Sequence, residues 1–294
     1  MKKLFSLLLT AAMVCSLAVT AGAADVVPIS ASANGTAAPV AAPAPDLTGS
    51  TVILHTNDVH GAIAGYAKVA ALKQYYQDCG AYVLLLDAGD YIQGDPTVST
   101  SEGATAVELM NLAGYDVASM GNHEFDYGMD RAKELMRDAD FPYLSCNWVD
   151  LRTNLRVLPE IKVFVRGGVR IAFVGITTPE TFTKSTPAYF MNKAQTKYIY
   201  DILGGEDGQK LYSAVQKAVD KAKCLADVVI GLGHLGVDPS SSPWTSEEVI
   251  AHTTGFDAFI DGHSHTVMEN KQVADASGRM VTPVSYTHLT LPTT

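Results

Sequence analysis

The sequence is poor in cysteine: four in 294 residues. None forms a Cys-x-x-Cys pair. Cys15 lies in an apolar leader, which leaves Cys79, Cys146 and Cys224. An odd number permits at most one disulfide, so a disulfide framework is excluded. We expect three reduced and mostly buried thiols, because free cysteine packs as a small hydrophobe. Charged residues are also sparse, at 18% against 47% apolar. That ratio excludes a mainly disordered chain and supplies enough apolar material for a sizeable core. Basic residues are outnumbered, 21 to 31, for a formal charge of -10. This balance argues against a nucleic-acid polymer as partner. It leaves room for a small phosphate ester, since bound divalent cations reverse the field inside one cleft. Beyond the leader there is no second long apolar run and no internal repeat.

Lys2 and Lys3 open the chain, an apolar run from Leu4 to Val19 follows, and Ala21-Gly22-Ala23-Ala24 closes it. A basic start, apolar middle and small-residue exit make a secretory signal peptide. We expect residues 1–24 to be removed after Ala23 or Ala24. The run is shorter than the roughly 20 residues that a spanning helix needs. The expected location is therefore exported: periplasmic, cell-wall-associated or extracellular, with no membrane span after cleavage. Residues 25–50 are rich in Ala, Pro and Ser and read as an extended, semi-stiff linker.

Over residues 51–265 one pattern recurs five times. A short apolar run stops at a cluster of Asp, Asn, His and Gly. Thr51-Val52-Ile53-Leu54 leads into Asn57-Asp58-Val59-His60-Gly61, and Tyr82-Val83-Leu84-Leu85-Leu86 into Asp87-Ala88-Gly89-Asp90. Val117-Ala118-Ser119-Met120 leads into Gly121-Asn122-His123-Glu124-Phe125-Asp126. Val228-Val229-Ile230 reaches His234, and Ala258-Phe259-Ile260 reaches Asp261-Gly262-His263-Ser264-His265. Such runs fit strands buried on both faces. Helical spacing lies between them, over 66–77, 102–113 with Ser101 as N-cap and Gly114 as stop, 129–139 and 209–223. Thr245-Ser246-Glu247-Glu248 reads as a capping box. Alternating strands and helices imply an α/β sheet covered by helices, with ligands at the strand carboxyl ends. Residues 157–176 read as a β-hairpin turning at Arg166-Gly167-Gly168, so the sheet system is mixed. Residues 177–208 read as a long surface excursion.

The clusters bring together Asp58, His60, Asp90, Asn122, His123, Asp126, His234, His263 and His265. Imidazole suits ions of the Zn, Fe or Mn type, and carboxylate and amide oxygens suit harder ones. The set is large enough for two ions sharing one carboxylate at about 3.5–4 Å. Each motif alone is weak, because Asp-x-His and Gly-Asp are ordinary turn chemistry. The ordered combination is far more specific.

That order resembles the calcineurin-like metallophosphoesterases. In the fuller forms, with Gly94 after Asp90 and Tyr127-Gly128 after Asp126, it is similar to the secreted 5′-nucleotidase branch. UDP-sugar hydrolases and 2′,3′-cyclic nucleotide phosphodiesterases belong to the same branch. The resemblance implies a four-layer fold of two mixed β-sheets packed together and flanked by helices. It implies a first metal held by Asp58, His60, Asp90 and His265. Asp90 would be shared with a second metal completed by Asn122, His234 and His263. His123 would face the scissile phosphate, oriented by Asp126. The ions would be two divalent metals such as Zn, Mn or Fe. His265 stands where many relatives carry Gln or Asn. His55 and His252 match no ligand position, Glu124 is expected to hydrogen-bond its loop, and Trp148 to lie in the core.

The implied activity is hydrolysis of extracellular nucleotide phosphate esters. A cyclic phosphodiesterase, a UDP-sugar pyrophosphatase, or an inactive metal-binding fragment are the alternatives. The catalytic domain is expected over 51–284. A helix linker and a substrate-specificity domain follow in the branch; here Ser285 to Thr294 follow instead, read as an atypical, non-native tail.

Overall fold

The computed structural model describes residues 44–268 and 271–285, with the backbone of two leader stretches, Phe5–Ser6 and Cys15–Ala21. The rest of the expected signal peptide, most of the linker and the tail from 286 lie outside the described residues. Cys15–Ala21 runs antiparallel beside Thr51–Thr56. The expected linker gives way to the domain before residue 51. Leu47 packs on the core and its N–H donates to the Cys79 carbonyl at 2.8 Å.

Two sheets carry the site. In the first, Thr51–Thr56, Tyr82–Asp87, Val117–Ser119 and Tyr143–Leu144 are parallel neighbours. In the second, Pro283–Val284, Ala258–Ile260, Val228–His234 and Val169–Thr177 are parallel, and Ile161–Arg166 closes the edge antiparallel. Strand side chains alternate between faces. Ile53, Leu84 and Leu86 therefore meet Ile171, Phe173 and Ile230 in one buried layer between the sheets. Their neighbours Val52, Leu54, Val83 and Leu85 face outwards to a second core under the helices Ala64–Asp78, Ala104–Ala113 and Met129–Asp138. Ala172, Val174 and Val229 face a third core under Gln209–Lys223 and Ser246–Ala251. The result is the expected α/β four-layer arrangement, with mixed sheets.

Local signals explain most element ends. Gly114 stops its helix with φ +73°. The Thr245 hydroxyl accepts from the Glu248 N–H at 3.3 Å, as a capping box requires. Ser101 does accept from the Thr105 N–H at 3.1 Å, but a short helix, Pro96–Thr100, precedes it and Gly103 begins the longer one. The hairpin turns through Gly167 and Gly168, both at positive φ, as a two-residue turn of this hand needs. Its first strand begins at Ile161 rather than Val157. Leu155–Arg156 instead joins Trp148–Asp150 and Tyr200–Ile202 in a small separate sheet.

The reading of 177–208 as a surface excursion is corrected. Tyr200–Ile202 pairs antiparallel with Trp148–Asp150, and Phe190, Tyr200 and Ile202 are buried. Trp148 is fully buried against Phe125, as expected of a core residue. Cys79, Cys146 and Cys224 are all free; Cys224 is exposed rather than buried because it follows the last turn of Gln209–Lys223.

Candidate metal centre

All five sequence clusters stand at the carboxyl ends of parallel strands, so the two sheets deliver them to one end of the domain. The backbone there is unusual. Among the described residues, eight non-glycine residues have positive φ, and five of them are Asp58, His60, Asp90, His263 and His265. Each such L-residue costs on the order of 1–3 kcal/mol, and strain of this kind gathers at functional sites. The loops are stitched together. The Asp58 N–H donates to the Gly89 carbonyl at 2.9 Å and the His60 N–H to the Asp90 carbonyl at 3.0 Å. Gly94 lets its loop pass directly behind His60: an added Cβ would lie 2.2 Å from the His60 carbonyl oxygen. Glu124 accepts from the N–H groups of Asp90, Tyr91 and Gly121 at 2.9, 3.0 and 2.6 Å, as expected of a loop anchor. Burial, then Asp90 beside it, push its pKa up to about 7.

Six of the seven nominated metal donors fall into two groups: Asp58, His60 and His265; and Asp90, His234 and His263. The potential ligand atoms in each group lie within 4.8 Å of one another. In the first, His60 Nε2 and His265 Nε2 are 3.0 Å apart and Asp58 Oδ1 is 3.5 Å from His265 Nε2. In the second, His234 Nε2 is 2.9 Å from Asp90 Oδ2. Asp58 Oδ1 lies 4.0 Å from that same nitrogen, so the groups adjoin. Both Asp58 oxygens accept from the His263 N–H at 3.0 Å. The seventh donor, Asn122, is buried, and its Oδ1 has no hydrogen-bond partner among the described residues. His234 Nε2 is likewise buried outside hydrogen-bond geometry.

The unpartnered Asn122 oxygen and the His234 nitrogen facing Asp90 fit a cation. Burial works against a charged His234 ring, yet Asp90 and Asp58 beside it lift its pKa to about 10. Burial likewise opposes a charged Asp90, but the fields of His234 and His123 hold its carboxyl well below the usual range. The pocket calls for positive charge, and mixed imidazole and carboxylate donors suit divalent transition ions. His123 stands next to the first group, its ring 5.3 Å from that of His60. Its Nδ1 bonds Asp126 Oδ2 at 2.6 Å. Partial burial opposes its charge, but the Asp126 hydrogen bond and the field of Asp90 outweigh this and raise its pKa above the ordinary histidine value.

Residues 51–267 match the calcineurin-like phosphoesterase family. The chain belongs to the calcineurin-like phosphoesterases. It is 31% identical over 243 residues to a 5′-nucleotidase of Rattus norvegicus, covering 74% of this chain and 38% of that one. It is 30% identical to protein UshA of Yersinia enterocolitica, covering 78% and 44%. The crystal structure of a 5′-nucleotidase precursor from Thermus thermophilus shares the fold, with TM-score 0.64 and 24% identity over 79% of this chain and 48% of that chain. The chain thus spans less than half the length of these relatives. The family is one of phosphoester hydrolases that use two divalent metals, and the two donor groups of this chain are candidate places for such ions.

Two site residues escaped the sequence reading. Glu180 Oε2 lies 2.7 Å from His263 Nε2, and the Gln93 amide lies 2.8 Å from His60 Nδ1. Glu180 had a signal: it follows Val169–Thr177, whose carboxyl end lies beside that of Val228–His234. His55 and His252 stay outside both groups. His55 is buried, which lowers its pKa to about 4, and His252 stacks on Tyr212 at 4.3 Å.

Proposed function

We propose that this chain hydrolyses phosphate monoesters of nucleotides outside the cell, in the manner of a 5′-nucleotidase. One observation carries the reading: two adjoining donor groups share one strand-end surface with a carboxylate-held histidine. Asp58, His60, Asp90 and His265 would hold one ion, and Asp90, Asn122, His234 and His263 the other. Two such ions would lower the pKa of a bound water from 15.7 towards about 7 and would neutralise phosphoryl oxygens. His123, beside the first group, would face the scissile phosphate through Nε2. The Asp126 hydrogen bond, which raises its pKa, favours the protonated ring that a leaving oxygen would need. Asp126 holds Nδ1, which fixes both tautomer and ring orientation.

The similarity to 5′-nucleotidases and UshA supports a nucleotide as substrate, and the leader supports export. No helix among the described residues is long and apolar enough to cross a membrane. The test is a panel of nucleoside monophosphates, 2′,3′-cyclic nucleotides and UDP-sugars, with Asp90→Ala as control. Preferential release of phosphate from monophosphates, abolished in Asp90→Ala, is expected. Turnover confined to cyclic nucleotides or UDP-sugars would reassign the substrate, and full activity in Asp90→Ala would end the two-metal reading.

A further inference from the structure

Three histidines of the donor groups have one ring nitrogen engaged by a residue outside those groups. His234 Nδ1 faces the Ala88 carbonyl at 2.7 Å. A carbonyl only accepts, so Nδ1 carries a proton and Nε2 is the nitrogen left for a metal. His60 Nδ1 faces the Gln93 amide, again leaving Nε2 for the site. His263 is the reverse. Its Nε2 faces Glu180 Oε2 at 2.7 Å. An ionised carboxylate only accepts, so Nε2 must carry the proton and Nδ1 keeps the lone pair.

Glu180 is built into its place. The N–H groups of Thr183 and Lys184 both donate to its carbonyl at 2.8 Å. The Ser241 hydroxyl donates to Oε2 at 2.7 Å, so a second loop fixes the carboxylate. Both side chains are largely shielded from water, His263 at 8% and Glu180 at 11% exposure. A charged acceptor holds an N–H about twice as strongly as a neutral one. It also makes the opposite nitrogen a better donor to metal.

We propose that Glu180 is a positioning residue for the second metal: it holds the Nε2 proton of His263, so that Nδ1 donates to the ion beside Asp90 and His234. This rests on the reading of His263 as a ligand. Glu180 needs no contact with substrate; it acts through the ring.

The test is calorimetric titration of the full chain, stripped of metal, with Mn²⁺. Wild type is expected to bind two ions. Glu180→Leu is expected to weaken one of them by about 10–100-fold and leave the other unchanged. Glu180→Gln should recover most of the loss, because its amide oxygen can still accept from Nε2. Equal weakening of both ions in Glu180→Leu and Glu180→Gln would mark a general structural role and overturn the proposal. So would wild-type binding in Glu180→Leu while His263→Ala loses one ion. Two ions bound at unchanged affinity in His263→Ala would instead remove His263 from the ligands. A second measurement is independent of any variant's folding. Long-range ¹H–¹⁵N spectra of the Zn²⁺-loaded wild type should show His263 protonated at Nε2; a proton at Nδ1 overturns the assignment.

Discussion

His123 combines burial, a carboxylate partner and the field of Asp90, and its chemistry can be tested one group at a time. His123→Ala should lower kcat by about 10²–10⁴-fold while two metals remain bound, measured by steady-state kinetics and metal analysis. Asp126→Asn keeps an acceptor for Nδ1 but removes the charge. Asp126 raises the His123 pKa, so its neutralisation lowers that pKa. Activity that needs protonated His123 is lost as pH rises through this pKa. The alkaline limb of the pH–rate profile should therefore move to lower pH in Asp126→Asn, and an alkaline move would exclude the role. Glu124 tests the loops. Three N–H groups converge on its carboxylate. Glu124→Gln presents an amide N–H₂ to part of that nest, at a cost on the order of 2 kcal/mol in chemical denaturation.

At the level of elements, a two-residue period in the strands decides how the layers stack. Leu86 points between the sheets while Leu85 points under the helices. Leu86→Ala should cost about 2–5 kcal/mol in urea unfolding. Gly175 marks a close approach of the two sheets, since an added Cβ would lie 2.2 Å from Leu144 Cβ. Gly175→Val should destabilise by at least about 1–3 kcal/mol through overpacking. Unchanged unfolding midpoints in both variants would contradict this layer. The helices and the glycine hairpin were legible because their signals are local: spacing, caps and turn residues. The region 177–208 was not. Its strand Tyr200–Ile202 finds its partner some 50 residues upstream, and no short-range pattern records that pairing.

For the whole molecule, metal ties stability to function. The stripped chain must hold Asp58 and Asp90 buried beside one histidine, His234, without the cations that would balance them. Chelation should abolish phosphoester hydrolysis, and added Mn²⁺ or Zn²⁺ should restore it. Bound metal should also raise the melting temperature. Ligand at 100 times its Kd adds about 2.7 kcal/mol. A melting temperature indifferent to metal would show that these groups bind none. The formal charge of -10 also implies that the site's positive field is local, confined to where cations sit.

The sequence by itself determined the donor inventory, its order at strand ends and the family resemblance, because each donor lies within a few residues of an apolar run that ends there. Tertiary structure supplied the contacts behind the partition into two groups that the resemblance implied. His60 meets His265 across 205 residues, and Asp90 meets His234 from the opposing sheet. It also decided which ring nitrogen of His60, His234 and His263 is engaged from outside the site. That choice depends on Ala88, Gln93 and Glu180, residues that carry no metal signature and become relevant only once the two sheets are packed.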